Sequence, residues 1–226
     1  MMIDRATSLL AVLDDDKSVQ RALQDLIESE GMSALCFDSA EEFLDSRAKH
    51  QASCLIADIR MPGMSGMELQ ARLKVERCEI PIIFVTARGE IPLAVSAMKE
   101  GASDFFTKPI EVVAFLTAVE RAVEQDRNAR RKALEQADLL QRYGSLTPRE
   151  QEVLALLVRG FLNKQVASEL GITEYTVQVH RGHIMRKMRT GAFATLVRMT
   201  ERLRPDDPQQ HQVQPGLISE SRRNCI

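Results

Sequence analysis

Tryptophan is absent from the 226 residues and only two tyrosines are present, so the core has to be built mainly from aliphatic side chains and methionine. No run of about 18 apolar residues occurs, and a membrane span is therefore not expected. The N-terminal apolar stretch is short and meets three acids, which argues against a signal peptide. The four cysteines include no CxxC pair and have no histidine cluster beside them. This usage favours free thiols in a cytoplasmic protein over a zinc site.

Charge is distributed unevenly along a chain whose net charge is −2. Residues 1–124 hold 13 basic and 21 acidic side chains, whereas residues 145–204 hold 10 basic and 5 acidic ones. The first region therefore carries a net charge of −8 and the second a net charge of +5. An acidic and a basic region indicate different partners, and the basic region is suited to a polyanion.

Apolar runs of strand length alternate with amphipathic helical patterns in the acidic region. Strands in which successive residues are apolar, without alternating polar ones, and which are separated by helices are typical of a parallel sheet that is covered on both faces. We therefore predict a doubly wound α/β domain with a five-stranded parallel sheet. Capping boxes at Ser39-x-x-Glu42 and Ser65-x-x-Glu68 mark the starts of two of its helices. The predicted strands are 9–13, 34–37, 54–57, 82–85 and 104–107.

Polar side chains follow four of these strands, at the edge of the sheet where ligands bind in such folds. Asp14 and Asp15 follow the first strand, Asp58 the third, Thr86 the fourth and Lys108 the fifth. Several carboxylates at one place repel each other unless a cation joins them, and their oxygens suit Mg²⁺. A lysine and a threonine beside them could bind the oxygens of a phosphoryl group. The set predicts phosphoryl transfer to a carboxylate.

The segments LDDDKSV, IADIRMPGMSG, FVTA and AMKEGASDFFTKP resemble the receiver domain of two-component response regulators, a CheY-like fold, over about residues 6–124. This resemblance implies that Asp58 accepts a phosphoryl group and that Thr86 and Lys108 bind its oxygens. It implies that Phe105 is a rotating switch residue. Phosphatases of the haloacid-dehalogenase type require a second aspartate where Arg60 stands, so that class is excluded. The Mg²⁺ ligands implied by the receiver resemblance are Asp14, Asp15, Asp58 and the backbone carbonyl of Arg60.

A helical pattern starts at Glu111 and continues to Gly144 without glycine or proline between them. We interpret it as one long helix that leaves the receiver and becomes the connector to the next domain. The alternative is two helices with a short break at 126–128.

The basic region has the pattern of a compact helical unit, with predicted helices at 147–159, 163–170, 173–188 and 192–203. Residues 163–188 fit a helix-turn-helix, with Gly171 in the turn. Its second helix would enter the major groove of DNA. The segments LTPREQEVL, NKQVASELGIT and TVQVHRGHIMRKM resemble the LuxR-type output domain over about residues 145–204. The predicted DNA contacts are Thr176, Gln178, Val179, Arg181, Gly182, Arg186, Lys187 and Arg189.

Together, the two resemblances place the chain in the FixJ/NarL class of regulators. They imply a transcription factor, not an enzyme, that is phosphorylated by a sensor histidine kinase, forms a homodimer and binds double-stranded DNA. RNA polymerase is a further candidate partner, and no membrane contact is expected. The alternative is a phosphorelay or phosphate-sink module whose helical domain binds protein. The predicted divisions are a receiver at 1–124, a helical linker at 125–143, a DNA-binding domain at 144–204 and a disordered tail at 205–226.

Overall fold

The structure, a computed structural model, describes residues 8–87 and 91–203. The chain divides into two compact units between Lys132 and Ala133. The predicted disorder of 205–226 and the state of Cys225 lie outside the described residues. Within the described ranges, no helix is long and apolar enough to cross a membrane.

The first unit contains a five-stranded sheet in the order β2-β1-β3-β4-β5. Every neighbouring pair in this sheet is parallel. The prediction of a doubly wound parallel sheet is therefore confirmed. The strands are β1 (Leu9–Leu13), β2 (Ser33–Phe37), β3 (Cys54–Ala57), β4 (Ile82–Thr86) and β5 (Asp104–Thr107).

Two hydrophobic clusters cover the two faces of the sheet. Leu13, Leu55 and Phe84 belong to one cluster, whereas Val12 and Ile56 belong to the other. Successive side chains of a strand point to opposite faces, so strands buried on both sides need apolar residues at every position. The covering helices of this unit are α1 (Lys17–Ser29), α2 (Ala40–Asp45), α3 (Ala48–Gln51), α4 (Gly66–Val75) and α5 (Ile91–Lys99).

Of the two capping boxes predicted in this unit, only one forms completely. At the start of α4, Ser65 accepts from the Glu68 N–H and the Glu68 carboxylate accepts from the Ser65 N–H. At α2, Ser39 accepts from the Glu42 N–H, but the Glu42 carboxylate accepts from the Asp38 N–H at 2.9 Å instead. The predicted reciprocal box at Ser39 is therefore wrong in its second half, because the carboxylate reaches one residue further back.

The long helix α6 runs without interruption over Val112–Gly144. The interpretation as one helix is confirmed, and the alternative with a break at 126–128 is wrong. The carboxylate of Glu111 accepts hydrogen bonds from the N–H groups of Val113 and Ala114. These N–H groups have no partner within the helix, so Glu111 stabilises its first turn.

An arginine of α6 ties this helix to the connection between α3 and β3. The Nε of Arg130 donates to both oxygens of the buried Asp126 carboxylate, at 2.7 and 2.9 Å. Its two terminal nitrogens donate to the backbone carbonyls of His50 and Ala52, at 2.9 and 2.8 Å. The sheet-containing unit accordingly continues along α6 to Lys132.

The second unit is entirely helical over its described part. The helix α6 contributes Leu139 to the core of this second unit. The same core contains Leu154, Val166, Ile184 and Leu196 of the following helices. Thr147 and Glu150 form a complete capping box at the start of the next helix. Gly171 has a left-handed backbone with φ of 64°, which allows the tight turn of the helix-turn-helix. The helices after α6 are α7 (Pro148–Val158), α8 (Asn163–Leu170), α9 (Glu174–Lys187) and α10 (Phe193–Leu203).

Replacing Arg130 with alanine is expected to lower the free energy of unfolding by about 1–3 kcal/mol. The physical reason is that Asp126 would remain buried without its cation, and two carbonyls would lose their donors. Urea denaturation of the purified protein measures this difference. Arg131→Ala is the matched control, because Arg131 is exposed and donates to Asn128 on its own helix. Equal stability of the two variants would contradict the prediction.

Candidate functional site

Asp58 lies directly after β3, next to the end of β1. Its N–H donates to the carbonyl of Leu13 at 2.9 Å, which continues the pairing of the two strands by one residue. One carboxylate oxygen, Oδ1, accepts a hydrogen bond from the N–H of Arg60 at 3.0 Å. The second oxygen, Oδ2, remains directed toward β5. The aspartate is therefore held by backbone groups at the carboxyl edge of the sheet.

Lys108 follows β5 and places its ammonium between two carboxylates. Its Nζ donates to Asp58 Oδ2 at 3.0 Å and to Asp14 Oδ2 at 2.5 Å. Its backbone N–H donates to the carbonyl of Thr86 at 2.8 Å, which fixes the end of β5 against β4. The ends of β1, β3, β4 and β5 thus meet at one site.

The electrostatics of this site are dominated by burial and by the single ammonium. The side chain of Asp14 is only 2 % exposed, and burial raises the pKa of its carboxyl despite the hydrogen bond from Lys108. Burial also disfavours the charged form of Lys108, but its hydrogen bonds to Asp14 and Asp58 outweigh this effect, so its pKa is raised. Two carboxylates therefore share one ammonium group.

The fit of Mg²⁺ to this site follows from its donor chemistry. Carboxylate and carbonyl oxygens are the ligands that Mg²⁺ accepts, and it retains several waters. Among the described residues, no three acidic, histidine or cysteine side chains form a ready cluster for a metal. In particular, the predicted ligands Asp14, Asp15 and Asp58 do not make such a group, because Asp15 is exposed while the other two face Lys108. The excess negative charge nevertheless suits a divalent cation.

A buried glutamine that the sequence analysis did not identify supports Asp14 from α1. The Nε2 of Gln20 donates to the carbonyls of Asp14 and Phe37, at 2.6 and 2.9 Å. It thereby joins the carboxyl ends of β1 and β2. The sequence indicates this role of Gln20 only through its position on the inner face of the amphipathic helix α1.

The remaining predicted residues of the receiver lie around the same edge. Thr86 is buried at the end of β4, and Phe105 is half-buried on β5, packed against the cluster that contains Phe84. Phe84 and Phe105 are direct neighbours in the parallel pairing of β4 and β5. The roles of Thr86 and Phe105, and of the Arg60 carbonyl as a metal ligand, stay predictions.

In the second unit, α9 presents an exposed face to solvent. Gln178, Val179, Gly182 and Arg186 are exposed on this helix, at spacings of three and four residues. Val177 and Ile184 on the opposite side are buried in the core. This arrangement is that of a recognition helix, whose free face can enter a major groove.

Three predicted DNA contacts are engaged within the unit itself. The ammonium of Lys187 donates to the buried Glu150 carboxylate at 2.6 Å and to the Ser145 carbonyl at 3.1 Å. Although burial opposes it, the donors Lys187 and Thr147 hold the pKa of Glu150 below its usual range. Lys187 therefore has a structural ion pair that the sequence analysis did not anticipate. The other two engaged residues are Arg181 and Thr176. The guanidinium of Arg181 lies 4.9 Å from the ring centroid of Phe193, and the hydroxyl of Thr176 forms a hydrogen bond with the hydroxyl of Thr173.

Gly66, the first residue of α4, lies against the backbone of Asp58 at the carboxyl edge of the sheet. A Cβ at this position would lie 2.4 Å from the Asp58 carbonyl oxygen and 2.9 Å from Cε1 of Phe84. Both neighbours are held, the first by the backbone of the site and the second by the core. Only glycine therefore allows α4 to start this close to Asp58.

Gly66→Ala is expected to lower the free energy of unfolding by about 1–3 kcal/mol, since the added methyl group has to displace α4 or Asp58. Thermal and urea unfolding measure the change. Gly144→Ala serves as control, because a Cβ there would meet no atom of the described residues within 4 Å. A Gly66→Ala protein as stable as the control would show that the close approach is not needed.

Comparison with known proteins identifies both units. Residues 10–120 match the response regulator receiver domain, and residues 144–200 match the bacterial regulatory proteins of the luxR family. The response regulator protein TodT of Pseudomonas putida F1 is 48 % identical over 203 residues, covering 90 % of this chain and 89 % of TodT.

Two further relatives span most of this chain. The transcriptional regulatory protein FixJ of Bradyrhizobium diazoefficiens is 38 % identical over 191 residues, which cover 84 % of this chain and 93 % of FixJ. The low-resolution structure of the response regulator StyR is 46 % identical, with a TM-score of 0.81, and covers 87 % of this chain and all of StyR. The predicted membership of the FixJ/NarL class is therefore confirmed. The chain belongs to the two-component response regulators with a LuxR-type helix-turn-helix domain, a family of transcription regulators and not of enzymes.

Proposed function

We propose that this response regulator accepts a phosphoryl group on Asp58 from a sensor histidine kinase and, once phosphorylated, dimerises and binds promoter DNA. The observation that carries this proposal is the position of Asp58. It shares Lys108 with Asp14 at the carboxyl edge of the sheet, in a chain that also presents an exposed recognition helix.

In the chemical step, an oxygen of the Asp58 carboxylate attacks the phosphorus of a phosphohistidine. The P–N bond breaks, the kinase imidazole leaves and takes up a proton, and an aspartyl phosphate forms. Lys108 would bind one phosphoryl oxygen with its ammonium, which already lies 3.0 Å from Asp58 Oδ2. The buried Thr86 would donate its hydroxyl to another.

Mg²⁺ neutralises charge on the phosphoryl oxygens when it is bound. The carboxylates of Asp14, Asp15 and Asp58 and the carbonyl of Arg60 would hold it. Asp15 would have to turn from solvent toward the other two carboxylates. Its exposed position in the connection between β1 and α1 leaves room for this movement.

An apolar groove beside the site suits docking of the kinase. It has a volume of about 520 Å³ and lies between α1 and the connection from β5 to α6. Lys108 itself lines the groove, so a protein seated there would reach Asp58. Its apolar wall is formed by Val19, Leu23, Leu26, Pro109 and Ile110.

Dimerisation would follow from a change on the surface of α5. A phosphoryl group would draw the Thr86 hydroxyl inward by a charge-assisted hydrogen bond, and Phe105 could rotate into the space beside β4. The exposed apolar side chains of Ile91, Val95 and Met98 form the surface that a second copy would cover. Two DNA-binding units would then bind adjacent half-sites with increased avidity. RNA polymerase would be a partner of the DNA-bound form.

The alternative is a phosphate sink whose helical unit binds protein and not DNA. The exposed polar face of α9 favours DNA, because the amide of Gln178 can read the edge of an adenine and the guanidinium of Arg186 can bind a phosphate. Salt dependence separates the two functions, since DNA binding weakens steeply with ionic strength through counterion release.

Asp58→Asn is expected to abolish Mg²⁺-dependent transfer of radiolabelled phosphate from a phosphohistidine kinase domain, because the amide cannot form the acyl phosphate. Asp45→Asn, which removes an exposed carboxylate at the end of α2, should retain wild-type labelling. Unfolding curves verify that both variants are folded. Labelling of the Asp58→Asn protein at another aspartate would overturn the assignment.

Beryllofluoride, a phosphoryl mimic, is expected to convert the protein to a dimer in light scattering and to tighten its DNA binding. The binding constant should fall with a steep salt slope, as phosphate contacts require. Binding that tightens while the protein stays monomeric, even on DNA, would contradict the dimer. Binding without salt dependence would favour the phosphate-sink alternative.

A further inference from the structure

A glycine stands in the middle of the recognition helix, at a place where helices avoid it. Gly182 lies eight residues after the start of α9 and five before its end, and it is exposed. Glycine has the lowest helix propensity of any residue except proline, because it loses the most backbone freedom. An interior helical glycine therefore calls for a physical reason.

The described structure of this chain does not supply that reason. Gly182 has no left-handed backbone, unlike Gly171, whose φ is 64°. A Cβ added at Gly182 would meet no atom of the described residues within 4 Å, whereas at Gly66 it would lie 2.4 Å from a carbonyl oxygen. The fold would accept alanine at Gly182 and would gain helix stability from it. The free space above this residue is consequently open to a molecule outside the chain.

The neighbours of Gly182 define the shape and chemistry of this space. Val179 precedes it by one turn and leaves its methyl groups partly exposed, at 38 %. Gln178 and Arg186 lie one turn before and one turn after it, and both are exposed. The exposed surface of α9 at this point thus consists of the Gly182 backbone and the Val179 side chain, between two groups that can form hydrogen bonds.

This exposed surface of Gly182 and Val179 matches one feature of the major groove. Among the base edges in that groove, thymine projects an apolar C5-methyl group beside polar atoms. Aliphatic side chains are the usual contacts of this methyl group, and a missing Cβ allows the helix to come closer to it. Gln178 can read an adenine at the same time through its amide.

We propose that Gly182 is a specificity-determining residue, which, with Val179, forms the contact to a thymine methyl group at a fixed position of each half-site. This inference rests on the proposed function of α9 as a DNA-binding helix. It differs from a phosphate contact because it depends on one methyl group of one base.

The test uses the full-length protein with beryllofluoride and a duplex selected from a random DNA pool. Each thymine of this duplex is replaced in turn by deoxyuracil, which lacks only the methyl group. For the wild type, one thymine per half-site should be sensitive, and its replacement should weaken binding about fourfold, the effect of losing one buried methyl group. Gly182→Ala should bind the thymine duplex about fourfold more weakly, as the wild type binds the deoxyuracil duplex, and should show no further loss on replacement of that thymine.

Two further variants make the test specific. Gly144→Ala also adds a methyl group at a position whose surroundings are open in the described structure, and it should bind both duplexes as the wild type does. Arg186→Ala should weaken binding to both duplexes by the same factor, because it removes a cation and no apolar contact. The melting temperature of Gly182→Ala should be equal to or above that of the wild type, which excludes unfolding as the cause of weaker binding.

The outcomes distinguish this inference from the function on which it rests. If the wild type shows no salt-dependent binding to DNA, both the proposed function and the role of Gly182 are overturned. A wild type that binds DNA, together with a Gly182→Ala protein of equal affinity or equal sensitivity to deoxyuracil, overturns the role of Gly182 alone.

Discussion

One ammonium group shared between two carboxylates is the interaction on which the receiver unit depends. Lys108 reaches Asp14 and Asp58 across 94 and 50 residues of sequence, so the contact forms only when β1, β3 and β5 are correctly placed in the sheet. The same contact leaves the site with more negative than positive charge. The sheet order therefore places Asp58 beside Lys108 and Asp14, at the edge where we propose that phosphoryl transfer takes place.

The strand ends that carry this site were predictable, and the side-chain contacts that other elements make to it were not. Acids and a lysine that follow apolar strands indicated the edge of the sheet at which they meet. The support of Asp14 by Gln20 was not predictable, because it requires knowing which face of α1 covers the end of β1. The ion pair of Lys187 with Glu150 spans 37 residues and was not predictable either, because it depends on how α9 packs against the start of α7.

Helix boundaries show the same division. Ser65 was predicted as an N-cap because the capping box is a local motif, and this box forms. At α2, the Glu42 carboxylate accepts a hydrogen bond from the Asp38 N–H instead of the Ser39 N–H. The sequence motif does not determine which of these two neighbouring donors it bonds to. The continuity of α6 was indicated by the absence of glycine and proline, but the Arg130 contacts to His50 and Ala52, 80 and 78 residues away, were not.

Two glycines of this protein illustrate opposite physical causes for the same residue type. At Gly66 the fold itself fills the place of a side chain, since a Cβ would collide with the Asp58 carbonyl oxygen. At Gly182 the described fold leaves the place empty, and the helix is less stable for it. The conformational preference of a residue usually agrees with the structure in which it is found. Where it does not, and no contact within the protein explains the residue, the position most often serves a function such as binding. By this reasoning, the first glycine belongs to the packing of α4 against Asp58, and the second supports the proposed contact of α9 with DNA.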